Sequence, residues 1–322
     1  MSRRRQKRNQ EAYWAQNPGL FDLPAEQSQE EAESELAPMD DVSLEQPERL
    51  RFMSFGSGSS GNCSYIGSRS CGLLVDAGVD NNYVLQQLSL NSIDPATIKG
   101  ILLTHDHFDH VKFAYAILRR HKHMRLYATN KALNGLLRKH RMSRRISDYH
   151  TPIFKEFPFK VGCLTVTAFE TSHDGTDNVG FSIEGCGTVF VVATDTGTIT
   201  ARTDAYVRQA RNLMIESNYD AVMLRNGHYS PHLKARVASA TGHLDNEDAA
   251  RYVASVAAGG VLRRVFLCHL SQDNNTPQIA LSAMRTSLEA AGKPVTTDLR
   301  SDDRIYLSVL PRLESSDLII LD

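Results

Sequence analysis

Apolar residues along the chain fall in short runs separated by glycine and polar clusters, the spacing of strands rather than of long helices. Continuous or alternating runs predict strands at Arg51–Phe55, Cys63–Ile66, Cys71–Val75, Ile101–Leu103, Cys163–Phe169, Val179–Ile183, Thr188–Val192, Asn212–Glu216, Ala221–Leu224, Val261–Cys268 and, last, Ile305–Val309. Helical patterns cover Tyr83–Leu90, Phe113–His121, Asn130–His140, Arg202–Ala210, Arg251–Ala258 and Pro277–Ala291. Asn246, followed by Glu247 and Asp248, starts the helix that continues through Arg251–Ala258. Strands and helices interleave, so an α/β or α+β architecture follows. The stretch Gly56–Asn62 is a tight glycine-rich loop, either a plain turn or a cradle of backbone N–H groups for a phosphate.

The pattern stops at the N-terminus. Residues 11–48 carry eleven Asp/Glu, no Lys/Arg and four prolines, and cannot bury enough apolar surface to offset the entropy of ordering. Residues 1–48 are therefore expected to form a disordered acidic tail, with 49–322 as the folded domain. Tyr13-Trp14 and Leu20-Phe21 are the only features there that would dock on an unknown partner protein. Removing the tail changes the charge: the chain is −1 overall, but residues 49–322 are +5, with 31 basic against 26 acidic side chains.

At 322 residues, 41% hydrophobic and 23% charged, the composition is that of an ordinary globular chain with room for a large core. Five scattered cysteines form no CxxC and lie mostly in apolar runs, which suits reduced core residues in a cytoplasmic protein. No apolar run reaches the ~18 residues of a membrane span, and no apolar h-region follows the basic N-terminus. A homodimer is compatible with the sequence and not specified by it.

Chemistry concentrates after Ile101-Leu102-Leu103-Thr104, where an apolar strand runs into His105-Asp106-His107-Phe108-Asp109-His110. Three imidazoles and two carboxylates in six residues are ligands for a borderline divalent metal, and no cysteine lies nearby to make a closed structural site. The following segment, Val111 to Ser147, holds eleven Lys/Arg and no acidic residue. It is either a solvated face or a surface for a polyanion, with Arg138, Lys139 and Arg141 as the chosen contacts. Further along, His173, Asp195 and His269 each follow an apolar run.

Thr104–His110 resembles the HxHxDH signature of the metallo-β-lactamase superfamily. The order Asp76, His105/His107/Asp109/His110, His173, Asp195, His269 fills that family's positions over residues 50–310. The resemblance implies a four-layer αββα sandwich binding two divalent ions, zinc or else manganese. His105, His107 and His173 would hold one ion, Asp109, His110 and His269 the other, and Asp195 would bridge them. Asp76 and Asp106 would brace these ligands. Gly56–Asn62, Glu216–Asp220, Met223–Leu233, Thr241–Asn246 and His269–Asn275 are similar to the WalJ/YycJ-type branch. That branch is related to PhnP-type phosphodiesterases and tRNA 3′-processing nucleases. The implied activity is a dinuclear phosphodiesterase, most simply a 5′–3′ exonuclease-like nuclease preferring DNA, that attacks with a metal-bridging hydroxide. His243 would protonate the leaving group, Asp109 would share the chemistry, and Ser59, Asn62 and Asn218 would touch the substrate. A small cyclic phosphate, or a thioester or lactam, is the alternative substrate. A nonenzymatic binding member should have lost ligands, and none is missing. A β-CASP insertion has no room between Asp195 and His269.

Overall fold

Successive residues of a strand face opposite ways, so a strand apolar at every position needs cover on both sides. The computed structural model, which describes residues 48–301 and 303–321, meets that need with two stacked sheets. Strands β1 (Leu50–Gly56), β2 (Cys63–Gly67), β3 (Gly72–Val75), β4 (Ile98–Leu102), β5 (Arg125–Ala128) and β6 (His150–Pro152) follow one another across the first sheet. The second contains β7 (Phe159–Val161), β8 (Leu164–Glu170), β9 (Val179–Gly185), β10 (Thr188–Ala193), β11 (Asn212–Glu216), β12 (Arg264–Cys268), β13 (Val295–Thr296) and β14 (Ile305–Val309). Its spatial order is β13-β14-β12-β11-β10-β9-β8-β7. A last strand, β15 (Ile319–Leu321), returns antiparallel to β1 at the edge of the first sheet.

Helices α1 (Asn81–Leu90), α2 (Phe108–Val111), α3 (Ala114–Arg120) and α4 (Asn130–Lys139) come from the first half. Helices α5 (Ala201–Val207), α6 (Ala221–Asn226), α7 (Pro231–Val237), α8 (Asn246–Ala257) and α9 (Pro277–Ala290) come from the second. Three apolar clusters separate the layers. Phe52, Ile66 and Leu73 of the first sheet meet Val166, Phe181, Phe190 and Phe266 of the second. The Phe52 ring lies 4.8 Å from both Phe190 and Phe266, and each such side chain contributes about 1.5–3 kcal/mol by burial. Outside the first sheet, Met53, Leu74 and Ile101 pack with Val84, Ile117 and Leu136 of α1, α3 and α4. Outside the second, Val191, Ile215 and Val265 pack with Val207, Val253 and Met284 of α5, α8 and α9. The result is the helix–sheet–sheet–helix sandwich that the resemblance implied.

Some expectations change. Ala221–Leu224 is not a strand but the start of α6, capped by the Asp220 side chain on the Met223 N–H and burying only Leu224. Ile305–Val309 is not the last strand, because β15 follows it. The strand ending at Cys268 begins at Arg264 rather than Val261. Cys163 is exposed, whereas Cys63, Cys71 and Cys268 are buried, and all are free thiols. The acidic tail lies outside the described residues except for Glu48, whose carboxylate accepts from the Ser70 N–H and hydroxyl. No helix among the described residues is long and apolar enough to cross a membrane.

Candidate metal centre

The centre is assembled from strand ends. Asp76 follows β3, the His105–His110 loop follows β4, and His173 comes shortly after β8. In the second sheet, β10, β11 and β12 are parallel neighbours that end together at Asp195, Glu216 and His269. Asp76, Asp195 and His269 adopt positive φ, between 50° and 61°, in turning out of their sheets. Aspartate and histidine are among the few side-chain-bearing residues enriched in that left-handed region.

Five imidazoles show one arrangement. Each ties one ring nitrogen to an oxygen and leaves the other facing the centre. His105 Nδ1 lies 3.0 Å from the Thr104 hydroxyl, which in turn donates to Asp76. His110 Nδ1 lies 2.7 Å from Asp76 Oδ2. His173 Nδ1 is 2.9 Å from the Gly242 carbonyl, His269 Nδ1 is 2.8 Å from Glu216 Oε1, and His107 Nε2 is 3.3 Å from Asp174 Oδ1. Each tie orients its ring, so that the neutral imidazole would present the lone pair of its remaining nitrogen to the centre. His107 Nδ1 and His173 Nε2 then face each other at 3.2 Å, while His105 Nε2 and His269 Nε2 are buried without a hydrogen-bond partner. Facing lone pairs and buried, partnerless acceptors fit a bound cation.

The donor atoms converge in matching sets. Those of His105, His107 and His173 lie within 4.8 Å of one another, as do those of Asp109, His110 and His269. Asp195 lies between the sets: Oδ2 is 3.4 Å from His110 Nε2, and Oδ1 is 3.7 Å from His173 Nε2 and 3.4 Å from His269 Nδ1. Imidazole nitrogen and carboxylate oxygen are the donors that divalent transition metals take.

Burial would discharge these groups, but the opposite charges outweigh it for most. Asp195 is desolvated, yet His269, His110, His105 and His173 hold its carboxyl well below the usual range. Burial lowers His110 and His269, but Asp195 and other carboxylates raise both, His269 to about 10. His105 and His107 go the other way: burial and neighbouring imidazoles push both down, His107 to about 4.

Several sequence-predicted residues support this centre. Asp76 carries Thr104 and His110. Asp106 is buried and accepts from the Thr176 N–H and hydroxyl and from Lys139 Nζ at 3.1 Å. Asn62, expected on the substrate, is only 7% exposed. Its carboxamide pairs with Gly58, with Asp109 Oδ2 at 3.1 Å and with His110 Nε2 at 3.0 Å. Asn218 donates to the His269 carbonyl at 2.7 Å and lines the pocket. Lys139, expected to contact the polyanion, is paired with Asp106.

The pocket over the centre, about 290 Å³, is lined by Ser59, Asp109, Asn218, Arg236, His243 and His269 among others. His243 Nδ1 is 2.6 Å from Glu216 Oε1, and its ring centroid lies 4.9 Å from His173 and 5.2 Å from His269. Burial opposes its charge, but Glu216 prevails and raises it. Burial also raises Glu216, yet His243 and His269 bring it down to about 2. The predicted basic contacts sit apart from the pocket. Arg138 lines a cleft of about 680 Å³ with Lys131 and Arg144, and Arg141 lines another of about 390 Å³ with Lys112 and Arg119.

Sequence reasoning assigned no role to Glu216, Asp174 or Arg236. Arg236 Nε is 2.7 Å from Asp174 Oδ2, which links the pocket wall to His107. Glu216 had a usable signal: like Asp195 and His269, it is the polar residue that ends an apolar run.

A family described as "Beta-lactamase superfamily domain" matches residues 72–270. "Exodeoxyribonuclease YycJ" of Bacillus anthracis is 33% identical over 252 residues, covering 76% of this chain and 90% of the relative. "Exodeoxyribonuclease WalJ" of Streptococcus pneumoniae is 31% identical over 255 residues, covering 79% and 94%. Among solved structures, the metallo-β-lactamase fold protein YhfI of Bacillus subtilis superposes with a TM-score of 0.58 at 16% identity, covering 84% of this chain and 99% of that one.

Proposed function

The chain belongs to the metallo-β-lactamase superfamily, in the branch of YycJ and WalJ, and on that premise we propose that it is an exonuclease of DNA using two divalent ions, zinc or manganese. That it is a metal-dependent hydrolase follows from the family. The finer reading takes the relatives' names together with the pocket. His105, His107 and His173 would hold one ion, and Asp109, His110 and His269 the other, with Asp195 between them. Ions bound there supply Lewis acidity at a phosphate and acidify water.

The chain's own groups do the rest. Glu216 accepts from His243 Nδ1, which orients the ring and favours its protonated form, leaving the Nε2–H for the leaving oxygen of the scissile phosphodiester. Arg236 and Ser59 line the mouth, where a phosphate flanking the scissile one would lie. Asp76, Thr104, Asp174 and Glu216 hold the imidazoles so that none has to reorganise during the reaction.

The observation that carries this reading is the 2.6 Å His243–Glu216 pair in the metal pocket, in a chain that also carries two basic clefts. A thioester or lactam hydrolase has no use for those clefts. A small cyclic phosphodiester remains the second reading, supported by the modest pocket volume. The test is metal-analysed protein on 5′- and 3′-end-labelled single- and double-stranded DNA and RNA, with bis-p-nitrophenyl phosphate alongside. Release of mononucleotides from DNA is expected, beginning at the 5′ end. Hydrolysis of the small diester with no action on any polynucleotide would favour the cyclic phosphate. Turnover of a thioester or lactam alone would sink both.

A further inference from the structure

One residue of the ligand loop is neither a candidate ligand nor a brace for one and is left outside. Phe108 sits between His107 and Asp109, about 3.8 Å from each along the backbone, yet 54% of it is exposed. Its ring forms a wall of the 390 Å³ cleft together with Lys112, Tyr115, Arg119, His140 and Arg141. His140 leans on it, ring centroids 5.5 Å apart, and is fixed by a 2.7 Å contact from its Nε2 to the Asp106 carbonyl. The Lys112 ammonium sits near the rings of Phe108 and Phe113, 5.9 and 5.1 Å from their centroids. Thus the loop that carries the metal ligands also holds both edges of an aromatic cleft rimmed by cations.

Aromatic rings beside Lys and Arg are the means by which proteins hold single-stranded nucleic acid, with bases stacked on the rings and phosphates on the cations. The volume is that of a small-ligand site, at the low end of the roughly 300–1,000 Å³ range. The larger cleft of Lys131, Arg138 and Arg144 has no aromatic lining and offers phosphate contacts alone. We propose that Phe108, with His140 and Tyr115, is a stacking subsite for one unpaired base next to the scissile phosphate, its flanking phosphates held by Arg119 and Arg141. A base inside a duplex is already stacked on its neighbours, so this subsite selects single-stranded or frayed ends. The proposal deepens the nuclease reading and rests on it.

The test uses the full chain in chelator, so that nothing is cleaved, and a short single-stranded DNA with a fluorescent purine analogue at its terminal position. Wild type quenches the analogue on binding. Phe108→Ala abolishes the quench and weakens binding about 5- to 150-fold, the span of alanine substitutions at stacking rings. Phe108→Trp keeps both. If Phe108→Ala lowers the melting temperature, Arg119→Ala and Arg141→Ala carry the same test. Each should flatten the log–log salt dependence of single-strand binding by about 0.7. Unchanged affinity and quench in Phe108→Ala, or unchanged slopes in both arginine variants, overturn the subsite. The nuclease reading fails separately. If metal-loaded wild type degrades no DNA, that reading is lost while a measured quench still stands. If wild type degrades DNA and Phe108→Ala binds as wild type does, only the subsite is lost.

Discussion

Glu216 and His243 meet at 2.6 Å, carboxylate to Nδ1, with the Glu216 side chain wholly out of water. The pair makes a demand on the pH profile. His243 is raised above its ordinary value by Glu216, so the acid it supplies persists to higher pH and is lost as pH rises through the raised value. Glu216→Gln removes the charge and leaves burial, which acts the other way. The alkaline limb of kcat should therefore move to lower pH, with metal still bound. An unmoved limb would show that His243 is not the group titrating. His243→Ala should lower kcat about 10²–10⁴-fold.

Metal binding should release protons. His110 and His269 are both raised, His269 to about 10, so the metal-free chain carries a proton on His269 at pH 7.5. A metal must displace it. Calorimetric titration of zinc in buffers of different ionisation enthalpy should report at least about one proton released at that pH. In the metal-free chain, His269's contribution to stability is complete below its unfolded value of about 6.5 and lost as pH rises toward about 10. Melting temperatures of chelated protein should fall across that window, and a flat response would refute the assignment.

Arg138 and Lys139 are sequence neighbours with different expected effects. Lys139 clamps the end of α4 onto the buried Asp106, whereas Arg138 lines the open basic cleft. Lys139→Ala should cost about 1–3 kcal/mol, because a buried carboxylate loses one of its donors. Arg138→Ala should leave the melting temperature alone and reduce the salt slope of DNA binding by about 0.7–0.9. Equal melting temperatures for the two variants would count against the clamp.

Gly78 admits no side chain. A Cβ there would lie 1.6 Å from the Asp109 carbonyl oxygen, whose hydrogen bond from the Asn62 N–H also fixes the glycine-rich loop. Gly78→Ala must push the ligand loop away. It should reduce the zinc content of the purified protein and cost at least about 1–3 kcal/mol in stability. Full metal occupancy with an unchanged melting temperature would show that the loop yields easily.

What the sequence disclosed, and what it hid, follows from range. The clustered His and Asp residues were legible because each follows an apolar run, and a strand end is a local signal. Glu216 follows one too, and that signal becomes decisive only once β11 is seen between β10 and β12. Ala-Val-Met-Leu at 221–224 carries no period, and the Asp220 cap decides it as a helix. Short strands such as β5 and β6 owe their existence to pairing rather than to their own residues. Lys139 counted as an unpaired cation because Asp106 is 33 residues away in sequence.

The left-handed turns at Asp76 and Asp195 narrow the alphabet open to mutation. Asparagine tolerates that backbone as aspartate does and has nearly its shape, yet brings no charge. Fold and chemistry therefore apply different filters at these two sites. A saturation library sorted on protease resistance alone should drift to asparagine and glycine at 76 and 195, while one sorted on DNA degradation should return to aspartate. Sequence drift at these positions would then report loss of catalysis long before any loss of structure.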